Sequence, residues 1–268
     1  MSTSPYIPFD TSRQPDISGS ALIVPSISIG NIPQLTIDLI IHTYSLTKIG
    51  YLDDLYLYPF ASPIDYVNSP SELGINHAIE VYHSSELNIT VVQQRSPIIP
   101  TYTPTFIQQV LVPFITTNHF ESVLILNSSD AGLVESVNSG DIKLYDTEDL
   151  ISSNLENLSL STSLFESNDP KDRESERNSR FVTELVKAII SYNGENSSKS
   201  INIKVLVSYV YEGDNFYDAE KSATKLRETL QLQNQGDGPV DKWIKPVSWL
   251  GVYGDKSVPN AMEEGIFG

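Results

Sequence analysis

Apolar positions between residues 21 and 44 change from a continuous run to helical spacing. Residues 21–24 are all apolar and end at Pro25, a pattern that predicts a short buried strand. Residues 26–31 then form a turn, and Pro33 suits the first turn of a helix. Beyond it, apolar residues recur at positions i, i+3, i+4 and i+7, namely Ile37, Ile40, Ile41 and Tyr44. Because this helix is apolar over most of its circumference, it must be covered on most sides. We expect a central strand–turn–helix unit.

Along the rest of the chain, apolar patterns typical of strands alternate with apolar spacing typical of helices. Apolar runs or alternation predict strands at residues 55–58, 79–82, 89–94, 122–127 and 201–211, the second and third of them as a hairpin. Helical spacing predicts helices at residues 105–120, 181–190 and 219–232. Pro113 predicts a kink or a break in the first of these.

This order of elements predicts an α/β fold, a mixed central sheet with helices on both faces. Residues 1–20 are expected to form a flexible arm, and residues 21–253 a single α/β domain. Residues 152–180 are rich in polar residues and are expected to be a disordered insert. Residues 254–268 are expected to be a flexible docking tail.

Charge and composition narrow the classes of partner. The formal net charge of −17 argues against nucleic acid and against an anionic membrane surface. The chain has no cysteine, which excludes disulfides and thiolate metal sites. No window approaches the roughly 20 apolar residues of a membrane span, and we see no secretory signal. We therefore expect a cytoplasmic protein that is also found in the nucleus.

Candidate catalytic chemistry is sparse. The turn at residues 26–31 could bind an anion through backbone N–H groups, but it holds one glycine and no phosphate-loop motif, so a structural turn is favoured. Asp38 and His42 lie four residues apart and could form an acid–base pair, although a surface helix pair is the simpler interpretation. His77, His83 and His119 lack the spacing of a metal site. We predict no catalytic residues, no cofactor and no metal.

The chain ends on Ile266, Phe267 and Gly268. Two large apolar side chains beside a terminal carboxylate fit capture in a pocket, with a lysine pairing the carboxylate. The pocket could lie on this chain itself or on a partner, and both interpretations remain open on the residues alone.

The opening unit and the last three residues both resemble a known protein family. The opening, with Pro25, Gly30, Asn31, Gln34 and Asp38, resembles the start of the proteasome assembly chaperone 2 family. The last three residues resemble that family's tail motif: a hydrophobic residue, an aromatic residue, any residue and a free carboxylate. The resemblance implies an α/β/α sandwich similar to phosphorylase/hydrolase-like folds.

For function, the resemblance implies a non-enzymatic chaperone that assists assembly of the proteasome 20S core particle. It would act as a heterodimer with a related chaperone subunit 1 and cap the α-ring. Ile266 and Phe267 would enter a pocket between proteasome α subunits, and the carboxylate of Gly268 would pair with a pocket lysine. The usual aromatic residue of this motif is tyrosine, so Phe267 lacks one hydroxyl.

Two alternatives come from other functional classes. One is a phosphorylase-like enzyme that handles nucleosides or phosphate, which would need a phosphate-binding loop and a catalytic carboxylate in a pocket. The other is a cytosolic scaffold whose tail docks on another partner. Fold alone cannot decide among them, because one fold hosts many functions.

Overall fold

The computed structural model describes residues 4–68, 74–134, 136–152, 170–196, 200–232 and 242–250. Its main feature is an eight-stranded sheet with the strand order β1-β3-β6-β7-β2-β8-β10-β9. The strands are β1 Tyr6–Pro8, β2 Ala21–Pro25, β3 Thr47–Leu52, β6 Ile79–Ser84, β7 Ile89–Gln94, β8 Ser122–Asp130, β9 Ile142–Tyr145 and β10 Asn202–Val210. A separate two-stranded sheet pairs β4 Ser62–Pro63 with β5 Ile75–Asn76.

The sheet is mixed, as the hairpin predicted. Strands β7, β2, β8 and β10 run parallel to one another. β6 is antiparallel to both β7 and β3, so β3 points the same way as the parallel group. β1 and β9 are antiparallel edge strands. The carboxyl ends of β3, β7, β2, β8 and β10 therefore lie at one edge of the sheet.

Helices cover both faces of the sheet. Helix α1 (Ile32–Thr43) and helix α6 (Phe216–Leu230) pack on one face. The other face carries α2 (Thr103–Phe106), a π-helical turn at Ile107–Leu111, α3 (Val112–Thr117) and α5 (Pro170–Glu195). Short helix α4 (Thr147–Ser152) follows β9. The mixed α/β class is confirmed, whereas a likeness to phosphorylases is not.

The strand–turn–helix unit lies at the centre of this arrangement, as predicted. Strand β2 is flanked by β7 and β8, and alternate residues face opposite layers: Leu22 and Val24 join one core cluster and Ile23 the other. Helix α1 has Pro33 in its first turn and packs against α6 on its outer side. Burial of alternate sheet residues and of most of α1 gives the fold its two apolar layers.

Three sequence predictions need correction. The N-terminal arm is not loose throughout, because residues 6–8 form β1 and Ile17 is buried in the core. Helix α5 begins at Pro170, inside the segment predicted to be a disordered insert, while residues 153–169 lie outside the described structure. Residues 55–58 are not a strand and make a single bridge, Leu57 to Ile98, because the acidic pair before them and Pro59 after them interrupt pairing. Pro113 lies in the first turn of α3, directly after the π-helical turn, so the hydrogen-bonding pattern of the helix changes next to it.

Candidate functional site

The turn after β2 meets the end of β8 through serine hydroxyls. Ser26 Oγ donates a hydrogen bond to Asn127 Oδ1 at 2.7 Å, and the hydroxyls of Ser28 and Ser128 lie 2.8 Å apart. Ser128 Oγ also donates to the carbonyl of Ile29 at 2.6 Å. Ligands of open α/β sheets bind at this kind of position, outside the carboxyl ends of parallel strands. Here the hydroxyls bind one another and the backbone, which favours a structural turn.

Gly30 and Asn31 adopt left-handed backbone conformations, with φ of 67° and 51°. A Cβ atom at Gly30 would lie 2.8 Å from Cγ of Asn215, the residue before α6, so only glycine fits. The side chain of Asn215 thus lies against the start of α1, where a bound anion would have to approach. This packing explains the glycine of the opening motif without a phosphate ligand.

Gln34 and Asp38 connect α1 to its neighbours. Gln34 Nε2 donates to the carbonyl of Ser26 at 2.9 Å, which holds the turn against the helix. Asp38 Oδ1 accepts from Gln93 Nε2 at 2.7 Å and from Arg95 Nη2 at 3.1 Å. With Asp38 only 5% exposed, the predicted surface pair with His42 is wrong. The carboxylate instead joins α1 to β7 and to the residue that follows it.

A second buried carboxylate lies on β6. Glu80 is fully buried, accepts from Lys48 Nζ at 2.7 Å and from the His77 backbone N–H at 2.9 Å through Oε1, and from the Tyr82 hydroxyl at 2.9 Å through Oε2. Burial, reinforced by the charge of Glu80, raises the pKa of Tyr82 and keeps its hydroxyl a donor. The sequence analysis did not predict this cluster, although a glutamate within a predicted apolar strand could have indicated it.

Most polar groups of these clusters bind within the protein, whereas the buried atoms Gln34 Oε1, Gln93 Oε1 and Arg95 Nε have no hydrogen-bond partner. Burial lowers the pKa of His42 and favours its neutral form. Within the described ranges, no group of three His, Asp or Glu side chains could hold a metal ion. In the same ranges, no helix is long and apolar enough to cross a membrane. Buried carboxylates that are paired with cations are typical of structural networks as well as of active sites.

The C-terminal strap, residues 242–249, lies across α1 and α6. Trp243 is buried against Tyr44, and the guanidinium of Arg227 lies 5.3 Å from its ring centre. Further along, the Val247 N–H donates to the carbonyl of Tyr66 at 2.7 Å. The Trp249 ring then stacks on Phe216, the first residue of α6, with the ring centres 4.5 Å apart. The strap therefore reaches the first turn of α6, at the edge of the sheet where the carboxyl ends of the parallel strands lie.

The predicted docking residues Ile266, Phe267 and Gly268 lie outside the described residues, so their role stays a prediction. The motif residues of the opening do come together: Pro25 ends β2, Gly30 and Asn31 form the turn, and Gln34 and Asp38 bind the elements on either side of it. Sequence reasoning did not find Gln93, Arg95 or Lys48, because their contacts come from distant strands.

Comparison with known proteins decides the family. The sequence profile of the PAC2 family matches residues 22–203, which include the strand–turn–helix unit and most of the sheet. The chain belongs to the PAC2 family. The predicted resemblance to proteasome assembly chaperone 2 proteins is confirmed by relatives that carry this name.

Two relatives illustrate how far the similarity of this PAC2-family chain extends. Proteasome assembly chaperone 2 of Mus musculus is 29% identical over 260 residues, covering 91% of this chain and 96% of the mouse protein. The Saccharomyces cerevisiae protein of the same name is 25% identical over 269 residues, covering 88% of this chain and 95% of the yeast protein. The similarity therefore extends beyond residues 22–203, which the family profile matches.

Solved structures support the fold. The crystal structure of Pyrococcus furiosus PbaA, described as an archaeal homolog of proteasome-assembly chaperone, aligns with a TM-score of 0.56 at 14% identity and covers 87% of this chain and 89% of PbaA. P. furiosus PbaB, described as an archaeal proteasome activator, aligns with a TM-score of 0.51 at 14% identity, with 88% and 92% covered. At this identity the likeness concerns the fold alone.

Proposed function

We propose that this PAC2-family chain is a non-enzymatic chaperone that assists assembly of the proteasome 20S core particle. The observation that carries the proposal is the end-to-end similarity to proteasome assembly chaperone 2 of mouse and yeast, which covers about nine-tenths of this chain and nearly all of each relative. A match of that extent reaches beyond residues 22–203, which the family profile covers. Association with the proteasome follows from the same family membership.

In finer detail, we propose a heterodimer with a related chaperone subunit that binds the α-ring in the cytoplasm and nucleus. Ile266 and Phe267 would enter a pocket between α subunits, and the carboxylate of Gly268 would pair with a lysine. The strap supports this arrangement, because a buried Trp243 and a stacked Trp249 fix the point from which the last residues extend. The body supplies a rigid platform and the tail supplies the anchor.

Nothing observed favours the two alternatives. An enzyme that handles phosphate would use the turn at residues 26–31, whose hydroxyls bind each other and whose glycine packs on Asn215. A scaffold with an unrelated partner would not account for the relatives. The chaperone function is therefore the one that the observations support best.

The test is binding of purified core particle by the full chain together with its related subunit. A version that lacks residues 266–268 is compared with the full chain, and thermal unfolding confirms that both are folded. Marked loss of binding on truncation is the expected result. Equal binding by both versions would remove the anchor role of the tail, and failure of both to bind would overturn the proteasome assignment.

A further inference from the structure

The carboxyl edge of the sheet holds the loops that follow the parallel strands. We define it as residues 53–58 after β3, 95–102 after β7, 131–134 after β8, and 211–217 after β10. The bridge from Leu57 to Ile98 joins the first two loops. The last loop contains the first turn of α6, against which the strap ends.

Exposed apolar side chains concentrate at this edge. Tyr211 is 58% exposed and Tyr217 is 67% exposed. Other exposed apolar side chains of the edge are Leu55, Tyr58, Tyr102, Leu133 and Phe216. At the opposite edge lie Ile151, on α4, and Ile244, whose backbone N–H bonds to Thr43 at the end of α1. Large exposed apolar groups that gather on one surface mark interaction sites.

Charge at this edge is acidic. Asp53, Asp54, Glu212 and Asp214 lie in its loops, and Asp130 ends the strand beside them. Arg95 is the one basic residue of the defined loops, and its Nη2 is paired with Asp38. Since complementary charge guides association, a matching surface would be basic at its rim and apolar at its centre.

The position at which the strap ends indicates which partner binds the carboxyl edge. It runs from Trp243, next to the later part of α6, to Trp249 on Phe216 at the carboxyl edge. Residues 251–268 continue from there, and a fully extended chain of that length reaches at most about 60 Å. A partner that captures Ile266 and Phe267 therefore stays within reach of this edge. Two contacts on one partner strengthen each other through effective concentration.

We infer that the carboxyl edge is the surface through which the folded body binds the α-ring, beside the tail. This inference rests on the proposed function and adds a second, independent contact to it. The α-ring surface opposite the edge would present lysine or arginine side chains around apolar positions. Tyr211 and Tyr217 are the expected central contacts, because they are the most exposed aromatic side chains of this edge and Tyr217 directly follows Phe216, on which Trp249 stacks.

The test compares two double variants of the full chain, each with the related subunit present. The edge variant is Tyr211→Ser with Tyr217→Ser, and the matched control is Ile151→Ser with Ile244→Ser at the opposite edge. Affinity for purified core particle is measured for each variant, with and without residues 266–268. We expect the edge variant to bind about 10-fold more weakly in both versions, as for central interface residues, while the control stays within about twofold, as expected outside an interface.

The possible results of this experiment test the inference separately from the proposed function. Edge and control variants that bind equally would overturn the inference and leave the tail as the anchor. Loss of the related subunit by the edge variant would also overturn it, because the edge would then be the dimer surface. If the unaltered chain does not bind core particle at all, the proposed function fails first and the inference falls with it. Thermal unfolding of each variant excludes misfolding as the cause.

Discussion

Asp38 on α1 and Arg95 after β7 form an ion pair with 3.1 Å between Oδ1 and Nη2. The same carboxylate oxygen accepts a hydrogen bond from Gln93. Because both partners are largely buried, the pair holds the central helix in one position against the sheet. In this position Gln34 reaches the carbonyl of Ser26, so the pair also supports the turn.

Asp38→Asn should therefore destabilise the protein strongly. The substitution keeps the shape but leaves the Arg95 guanidinium buried beside a neutral amide, and loss of one partner of a buried pair costs about 3 kcal/mol or more. Denaturant unfolding measures the change. Asp218→Asn is the matched control, because its pair with Lys221 on α6 is longer, at 3.7 Å, and more exposed. The control should cost less than about 1 kcal/mol, and equal losses would contradict the structural role of Asp38.

Gly30→Ala should be more destabilising than Gly19→Ala. Both glycines have positive φ, 67° and 69°, so each alanine pays a backbone cost of about 1–2 kcal/mol. Only Gly30 packs against Asn215, whereas a Cβ at Gly19 meets nothing within 4 Å. Overpacking adds about 1–3 kcal/mol at Gly30 alone. The free energies of unfolding of the two single variants give this difference directly.

The double variant Gly30→Ala with Asn215→Ala tests the origin of that difference. Removing the amide of Asn215 opens the space that the new Cβ needs, so part of the cost should be recovered. A coupling of at least about 0.5 kcal/mol is expected for residues in contact. Strictly additive effects would show that the clash with Asn215 is not the cause.

Much of the central architecture could be predicted from the sequence because its elements have clear periods. β2 and α1 follow from the change of spacing near Pro25, and β8 and β10 from their apolar patterns. β3 was not predicted, because Lys48 and Gly50 interrupt its alternation and the strand bulges between them. Its partners, β1 and β6, are distant from it in the chain, so the local pattern carried no signal.

The candidate site was predictable only in part. The opening motif drew attention to Asp38, but its burial depends on Gln93 and Arg95, which are more than fifty residues away. The polar residues before Phe181 indicated disorder, yet the structure continues α5 back to Pro170. A helix with few apolar residues gives no periodic signal, and packing of its later part on the sheet extends it.

Stability should fall as the pH falls below about 6.5, the ordinary histidine pKa. Burial lowers the pKa of both His42 and His83 in the folded state. Between these lowered values and about 6.5, the unfolded chain binds more protons, so the free energy of unfolding decreases on acidification. Each histidine contributes at most about 1.4 kcal/mol per pH unit.

The measurement is denaturant unfolding between pH 7.5 and 5.5, for the unaltered chain and for His42→Gln with His83→Gln. The double variant should show a shallower decrease. Asp10 and Asp16, whose pKa values are lowered by hydrogen bonds from Ser12 and Ser18, titrate below this window and do not interfere. An unchanged slope would show that these two histidines do not account for the pH dependence.

Phe267→Tyr should leave docking on the core particle intact or strengthen it. Tyrosine is the aromatic residue that the family motif usually carries, and its hydroxyl adds one hydrogen bond if the pocket offers a partner. A net gain of about 0.5–1.5 kcal/mol corresponds to roughly 2- to 13-fold tighter binding. Phe267→Ser, which removes the apolar ring, should bind far more weakly. Affinities for purified core particle, measured with the related subunit present, check both variants, and tighter binding by serine than by tyrosine would contradict the pocket interpretation.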